Sequence, residues 1–147
     1  MEVKERKPLF DLRVDISNKK ITPGDNLKFD ILAINQGDLR GFDILLHYSI
    51  KDFQGNLYDV KEESIKIDTE LDLKRTLTVP SNLSLGKYIL YSKISYQNVT
   101  ATGIDTFELM SKEALHKYKT IQFIIITLII IISFILLWII IIKRIIT

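Results

Sequence analysis

Two patterns divide the chain. Apolar and polar positions alternate between residues 10 and 109, and from residue 121 polar positions all but disappear. In Phe10–Ile16 every even position is apolar and every odd one charged, the period of a half-buried strand. Thr22-Pro23-Gly24-Asp25 is turn chemistry, because proline fixes φ and glycine tolerates positive φ. Leu27, Phe29, Ile31 and Ala33 then alternate with Lys28, Asp30, Leu32 and Ile34, up to a second turn at Asn35-Gln36-Gly37-Asp38. Phe42, Ile44, Leu46, Tyr48 and Ile50 form the longest apolar face, opposed by Asp43, Leu45, His47, Ser49 and Lys51. A turn over Asp52–Asn56 leads to two short runs, Leu57–Lys61 and Ser64–Asp68. The strand Glu70–Val79 stops at Pro80, which cannot donate to a central ladder. Lys87–Tyr96 and Val99–Leu109 read as a closing hairpin around Gln97-Asn98. Arg75 shares the parity of Leu71, Leu73, Leu77 and Val79, so either a bulge intervenes or it reaches the rim. About seven strands with regular turns predict an all-β antiparallel sandwich over residues 10–109.

Ile121–Ile142 reads IQFIIITLIIIISFILLWIIII, with Gln122, Thr127 and Ser133 as its only polar side chains. At 1.5 Å per residue this stretch makes a helix of about 33 Å, against a hydrocarbon core of about 30 Å. A helix satisfies its own backbone groups, as a lipid-exposed segment must. Tyr118 and Trp138 lie 20 residues apart, about 30 Å along a helix, a spacing suited to the two interfaces, with Lys117 and Lys119 before the span and Lys143 and Arg144 after it. The pattern predicts a transmembrane helix over 121–142, entered through a juxtamembrane stretch 110–120 in which Ser111 is the N-cap and Glu113 lies in the first turn. That connection is short enough to hold the sandwich close to the headgroups. There is no glycine in the span and no ionisable group, so it reads as an anchor rather than as an oligomerising or conducting helix. Thr127 and Ser133 are expected to bond their own i−4 carbonyls.

Charge and composition then exclude several chemistries. Of 20 Lys and Arg, two lie beyond the span, in a basic tail at 143–147, so residues 1–119 hold 18 basic and 18 acidic side chains. A neutral domain lacks the electrostatic means to hold phosphates, so no nucleic-acid partner is expected. With no cysteine there is no disulfide, thiol nucleophile or cysteine-based metal site. The two histidines, His47 and His116, are far apart in sequence, and Asp11 and Asp15 flank Arg13 on an outward strand face without a calcium-loop spacing. No phosphate-binding loop or nucleophile elbow occurs. The expectation is a non-catalytic protein with no metal and no cofactor. Residues 1–9 form a charged tail without the apolar core of a signal peptide. Asn82-Leu83-Ser84 and Asn98-Val99-Thr100 fit the glycosylation sequon, and both fall in expected turns.

Ile21-Thr22-Pro23-Gly24-Asp25, the strand end Ala33-Ile34-Asn35-Gln36-Gly37, Val79-Pro80 and the step Leu85-Gly86-Lys87-Tyr88 occur in this order. That order resembles the immunoglobulin-like modules of archaeal and bacterial surface proteins, including the CARDB-type domains associated with cell adhesion. The resemblance covers roughly residues 10–109. It implies an Ig-like sandwich and carries over no catalytic residue. Tyr88 looks like the tyrosine corner of such folds, whose hydroxyl bonds nearby backbone.

If Tyr88 is that corner, Tyr88, Leu90, Ile94 and Tyr96 face the core, while Ile89, Tyr91 and Lys93 point outward. Parity likewise puts Leu45 and His47 outside. In Ig-like topology the two strands are neighbours, so Leu45, His47, Ile89 and Tyr91 are expected to share an outer face as a partner-binding patch. The expected function is a single-pass, membrane-anchored Ig-like domain serving as a cell-surface binding, adhesion or structural module. Its partners are then the bilayer, through the carboxyl-terminal helix, and a protein or surface polymer. The alternative is an accessory subunit of a membrane enzyme or secretion complex. Basic residues on the two sides of the span nearly balance, so the positive-inside rule discriminates little. The family resemblance and the sequons favour an extracellular sandwich; a short tail after the span suits a cytosolic, tail-anchored one.

Overall fold

Period-two burial runs through the amino-terminal part of the computed structural model, which describes residues 8–38 and 40–146, without the side chains of 143–146. Most of the charged stretch 1–9 and the side chains of the basic tail 143–147 thus lie outside the described residues. The strands are β1 (Phe10–Ile16), β2 (Lys20–Ile21), β3 (Asn26–Asn35), β4 (Phe42–Lys51), β5 (Leu57–Ile67), β6 (Glu70–Thr78), β7 (Gly86–Tyr96) and β8 (Val99–Leu109). A three-stranded antiparallel sheet, β1-β3-β6, faces a five-stranded sheet, β2-β8-β7-β4-β5. Within the second sheet β2 runs parallel to β8. Leu27, Phe29, Ile31 and Ala33 from one sheet and Ile44, Leu46, Ile50, Leu90, Ile94 and Phe107 from the other are fully buried between them. Removing these side chains from water is the main stabilising term, at roughly 1.5–3 kcal/mol for each large one. The fold is an all-β sandwich followed by one long apolar helix, α1 (Lys112–Ile146).

The turns explain why particular residues stand where they do. Gly24 adopts φ +90°, following Pro23, and the Thr22 hydroxyl donates to the Asp25 carboxylate at 2.7 Å. This turn docks on the end of β6 through the Gly24 amide, which donates to the Val79 carbonyl. Buried Asn35 closes β3: its amide nitrogen donates to the Asp68 carbonyl at 3.0 Å, and its carbonyl oxygen accepts from Gly37 at 3.1 Å. It thereby ties β3 to the point where the chain crosses from β5 to β6.

Two features depart from the sequence reading, and a third decides between its alternatives. The two-residue β2 carries no alternation because a pair of residues is too short to show one; it forms where the chain passes from the first sheet to the second. The two short runs between 57 and 68 are one strand, β5, with Asp59 at φ +42° where the β4–β5 register shifts. Arg75 sits in continuous register opposite Phe29, without a bulge. Its guanidinium donates to both oxygens of Glu63 at 2.6 and 3.0 Å, across the open side between β6 and β5. Glu63 is the inward-parity charge that breaks the pattern of β5, so the two irregularities are partners. Burial raises the pKa of the Tyr48 phenol beside them, and the Glu63 charge adds to the shift.

The opposite flank is closed by β1 backing onto β8. A Cβ on Gly103 would lie 2.9 Å from the Leu12 carbonyl oxygen, so only glycine allows this approach. Asp105 accepts from the Ile16 amide and from Lys19, both at 2.9 Å, where β1 ends.

Candidate binding surface

The outer face of the five-stranded sheet is built from residues whose neighbours sit on other strands. Cross-strand pairing places Leu45 opposite Ser95, His47 opposite Lys93, Ser49 opposite Tyr91 and Lys51 opposite Ile89. On the other side of β4, His47 faces Glu62. His47 Nδ1 lies 3.1 Å from the Glu62 carboxylate, and its ring stands edge-on to Tyr91 at 6.1 Å. Lys51 Nζ lies 3.4 Å from the centre of the Tyr91 ring, a cation–π contact. Leu45, His47, Glu62, Tyr91, Lys93 and Ser95 line a shallow depression of about 230 Å³. Ser49 lies under this layer with its hydroxyl buried and, among the described residues, unpaired.

All four residues expected to form a patch are on this face, but register separates them. Leu45, His47 and Tyr91 border the depression; Ile89 stands opposite Lys51, six positions along β4 from Leu45. Sequence parity places Lys93 on this face but gives no register, so Glu62 and Ser95 were not identifiable as members. The Tyr88 hydroxyl donates to the Ser84 carbonyl at 3.0 Å, the hydrogen bond of a tyrosine corner. Asn82 and Asn98 are exposed, in the β6–β7 and β7–β8 connections. Asp11 and Asp15 are exposed on β1, and His116 is exposed on α1. Among the described residues no three His, Cys, Asp or Glu side chains are grouped to hold a metal ion.

The helical unit, residues 112–147, is a separate body. Within Lys112–Ile142 its most apolar 18-residue window has a mean hydropathy of 3.4 and is nowhere buried. The polar side chains of residues 121–142 bond to the helix itself. Thr127 donates to the Phe123 carbonyl at 2.9 Å and Ser133 to the Ile129 carbonyl at 2.8 Å. Gln122 donates to the Tyr118 hydroxyl at 2.9 Å. With these groups satisfied internally, the helix meets the requirement for a lipid-facing span.

No family model matches the chain, and no curated protein matches it by sequence. Solved structures match its fold. A CARDB domain from Pyrococcus furiosus, in complex with di-metal ions, aligns with a TM-score of 0.52 at 13% identity, over 70% of this chain and 89% of that one. The solution structure of the same CARDB domain gives 0.50 at 13% identity, over 72% and 98%. A family 123 glycoside hydrolase from Clostridium perfringens gives 0.53 at 11% identity, but only 27% of that chain is covered. The sandwich therefore has a CARDB-like fold, and together with the apolar helix it fits a membrane-anchored module.

Proposed function

We propose that the protein is a single-pass membrane protein that displays its CARDB-like sandwich outside the cell as a non-catalytic binding module, with the outer face of β4, β7 and β5 as the docking surface for a protein or surface polymer. The observation that carries this reading is the depression bordered by Leu45, His47 and Tyr91. It joins an aliphatic and an aromatic side chain to flanking groups that can hydrogen-bond, the composition of a binding-patch centre.

Two measurements test it in the full chain in its native membrane. A photo-crosslinking side chain at Tyr91 is expected to give a discrete adduct, and the same group at Arg13, on the other sheet, none. Equal yields from both positions would remove the assignment of this face. For sidedness, the absence of cysteine leaves a clean background: Lys61→Cys is expected to react with a membrane-impermeant maleimide on intact cells. Labelling only after lysis would place the sandwich in the cytosol.

A further inference from the structure

The sheet register brings three separate pieces of chain to one end of the sandwich. Lys51, the last residue of β4, pairs with Leu57 in β5 and with Ile89 in β7. Gly86, the first residue of β7, pairs with Leu109, the last of β8. The β4–β5 hairpin tip, the loop before β7 and the exit of β8 therefore share one end. Phe53 projects from the hairpin tip, 62% exposed; Leu57, at its base, is 53% exposed; Leu85, immediately before Gly86, is 59% exposed. Among the described residues the opposite end exposes only Leu9 as a large apolar side chain.

These side chains are carried on loops that are fixed from within. The Asp52 carboxylate accepts from the amides of Gln54 and Asn56 at 2.9 Å each, from the Asn56 side chain at 2.7 Å and from the Tyr58 hydroxyl at 2.9 Å. Four hydrogen bonds on one carboxylate set the hairpin tip around Phe53. The Tyr88 hydroxyl fixes the other loop through Ser84, next to Leu85, and the Tyr58 and Tyr88 rings meet edge to face at 6.1 Å. An apolar residue held outward by a pre-ordered loop loses little entropy when it enters a new environment.

What that environment is follows from where the chain goes next. The exit of β8 lies at this end, and residues 110–120 are all that separates it from the apolar span at Ile121. We propose that Phe53, Leu57 and Leu85 form a lipid-contacting tip that rests in the headgroup layer of the same membrane in which the helix is anchored. The surroundings mix Lys51 and Lys87 with Asp25 and Asp52, so the attraction is apolar insertion at a zwitterionic surface rather than recognition of anionic lipid. The inference rests on the anchored reading above and adds a second membrane contact to it.

Full-length protein reconstituted in phosphatidylcholine vesicles tests both separately, because Trp138 is the only tryptophan. In the unaltered chain, Trp138 emission should be blue-shifted and quenched by spin-labelled lipid; if it is not, the anchor itself fails. In a Trp138→Phe background, Phe53→Trp should also be blue-shifted and quenched by a label near the headgroups, while Gln97→Trp, at the opposite end, should emit as in water. Asp52→Ala should reduce the Phe53→Trp quenching by loosening the tip. Water-like, unquenched emission from Phe53→Trp alongside a quenched Trp138 would overturn the lipid-contacting tip alone. A blue shift without lipid quenching would also overturn it, because protein rather than lipid would then cover the tip.

Discussion

Replacing Gly103 by alanine places a methyl group 2.9 Å from the Leu12 carbonyl oxygen and 3.1 Å from a Val14 methyl. The first contact is with backbone, so no rotamer change relieves it. Either β1 moves away from β8 or the β8 backbone shifts within its ladder to β7. Moving β1 far enough would open the seam over Leu12, Val14 and Ile16, each at most 6% exposed. The cheaper response is a shift of a few tenths of an ångström shared by both strands, and overpacking of this kind costs about 1–3 kcal/mol. For a sandwich of this size each kcal/mol lowers the melting temperature by about 4–8 °C. Gly103→Ala should therefore melt roughly 5–20 °C below the unaltered protein. The assay is thermal unfolding of the full chain in detergent micelles, followed by near-ultraviolet circular dichroism, to which the sandwich tyrosines contribute. Val14→Ala in the same background removes the second contact and leaves the first, so it should not restore the loss. A change of less than about 2 °C in Gly103→Ala would show that β1 yields freely, and the tight flank would not be a constraint on the fold.

Two further outcomes follow from the polar contacts that join the sheets. Arg75→Met leaves Glu63 facing the sandwich without its guanidinium and should destabilise by about 1–2 kcal/mol, held to that range because both side chains keep partial solvent access. Arg75→Met with Glu63→Leu should recover most of that loss in the same melting assay, and a double variant no better than the single would mean that Glu63 was never dependent on Arg75. Asp105 gives a pH dependence: burial opposes its ionisation, but hydrogen bonds from Lys19 and from the Ile16 and Thr106 amides outweigh that, and its pKa lies below the ordinary carboxylate value. A folded pKa below the unfolded value of about 3.9 means a stabilisation that is complete above that pH and is lost as pH falls through the folded value. The stability gap between the unaltered protein and Asp105→Asn should thus stay constant from pH 7 to pH 5 and close below about pH 4; a gap unchanged down to pH 3 would exclude the Asp105 contacts as its source.

Much of this architecture is legible as periodicity. Leu12, Val14 and Ile16, or Ile44, Leu46, Tyr48 and Ile50, alternate because one side of each strand is dry, and their burial follows the sequence parity. The apolar span is still plainer, since a helix apolar on every side has no polar face to write. Legibility fails where one polar residue answers another on a distant strand. Arg75 and Glu63 each look like an error in an otherwise regular pattern, and neither can be interpreted singly. Only their pairing across the open side of the sandwich accounts for both. Gly103 carried a signal of its own, because glycine inside a strand marks a bulge or a close backbone approach, but which backbone approaches is decided by the fold.

The same limit governs the two candidate surfaces. Parity assigns Leu45, His47, Ile89 and Tyr91 to one outer face; the β4–β7 register then sets Leu45 against Ser95 and Ile89 against Lys51 and divides the set. A binding patch is a property of register, which the residues of a single strand do not encode. The apolar tip depends on connectivity instead. Phe53 and Leu85 are 32 positions apart, and each alone is an ordinary exposed side chain in a turn. They gain a common meaning because Lys51 pairs with Ile89 while Gly86 pairs with Leu109, which brings both to the end where the chain leaves the sandwich for the apolar helix. The two surfaces consequently make separable demands: substitutions at His47 and Tyr91 should leave the lipid quenching of Phe53→Trp unaltered, and Asp52→Ala should leave crosslinking from Tyr91 intact. Were either substitution to disturb the other surface, the sandwich would not be holding its face and its end as independent sites, and the assignment of two roles to one domain would have to give way to one.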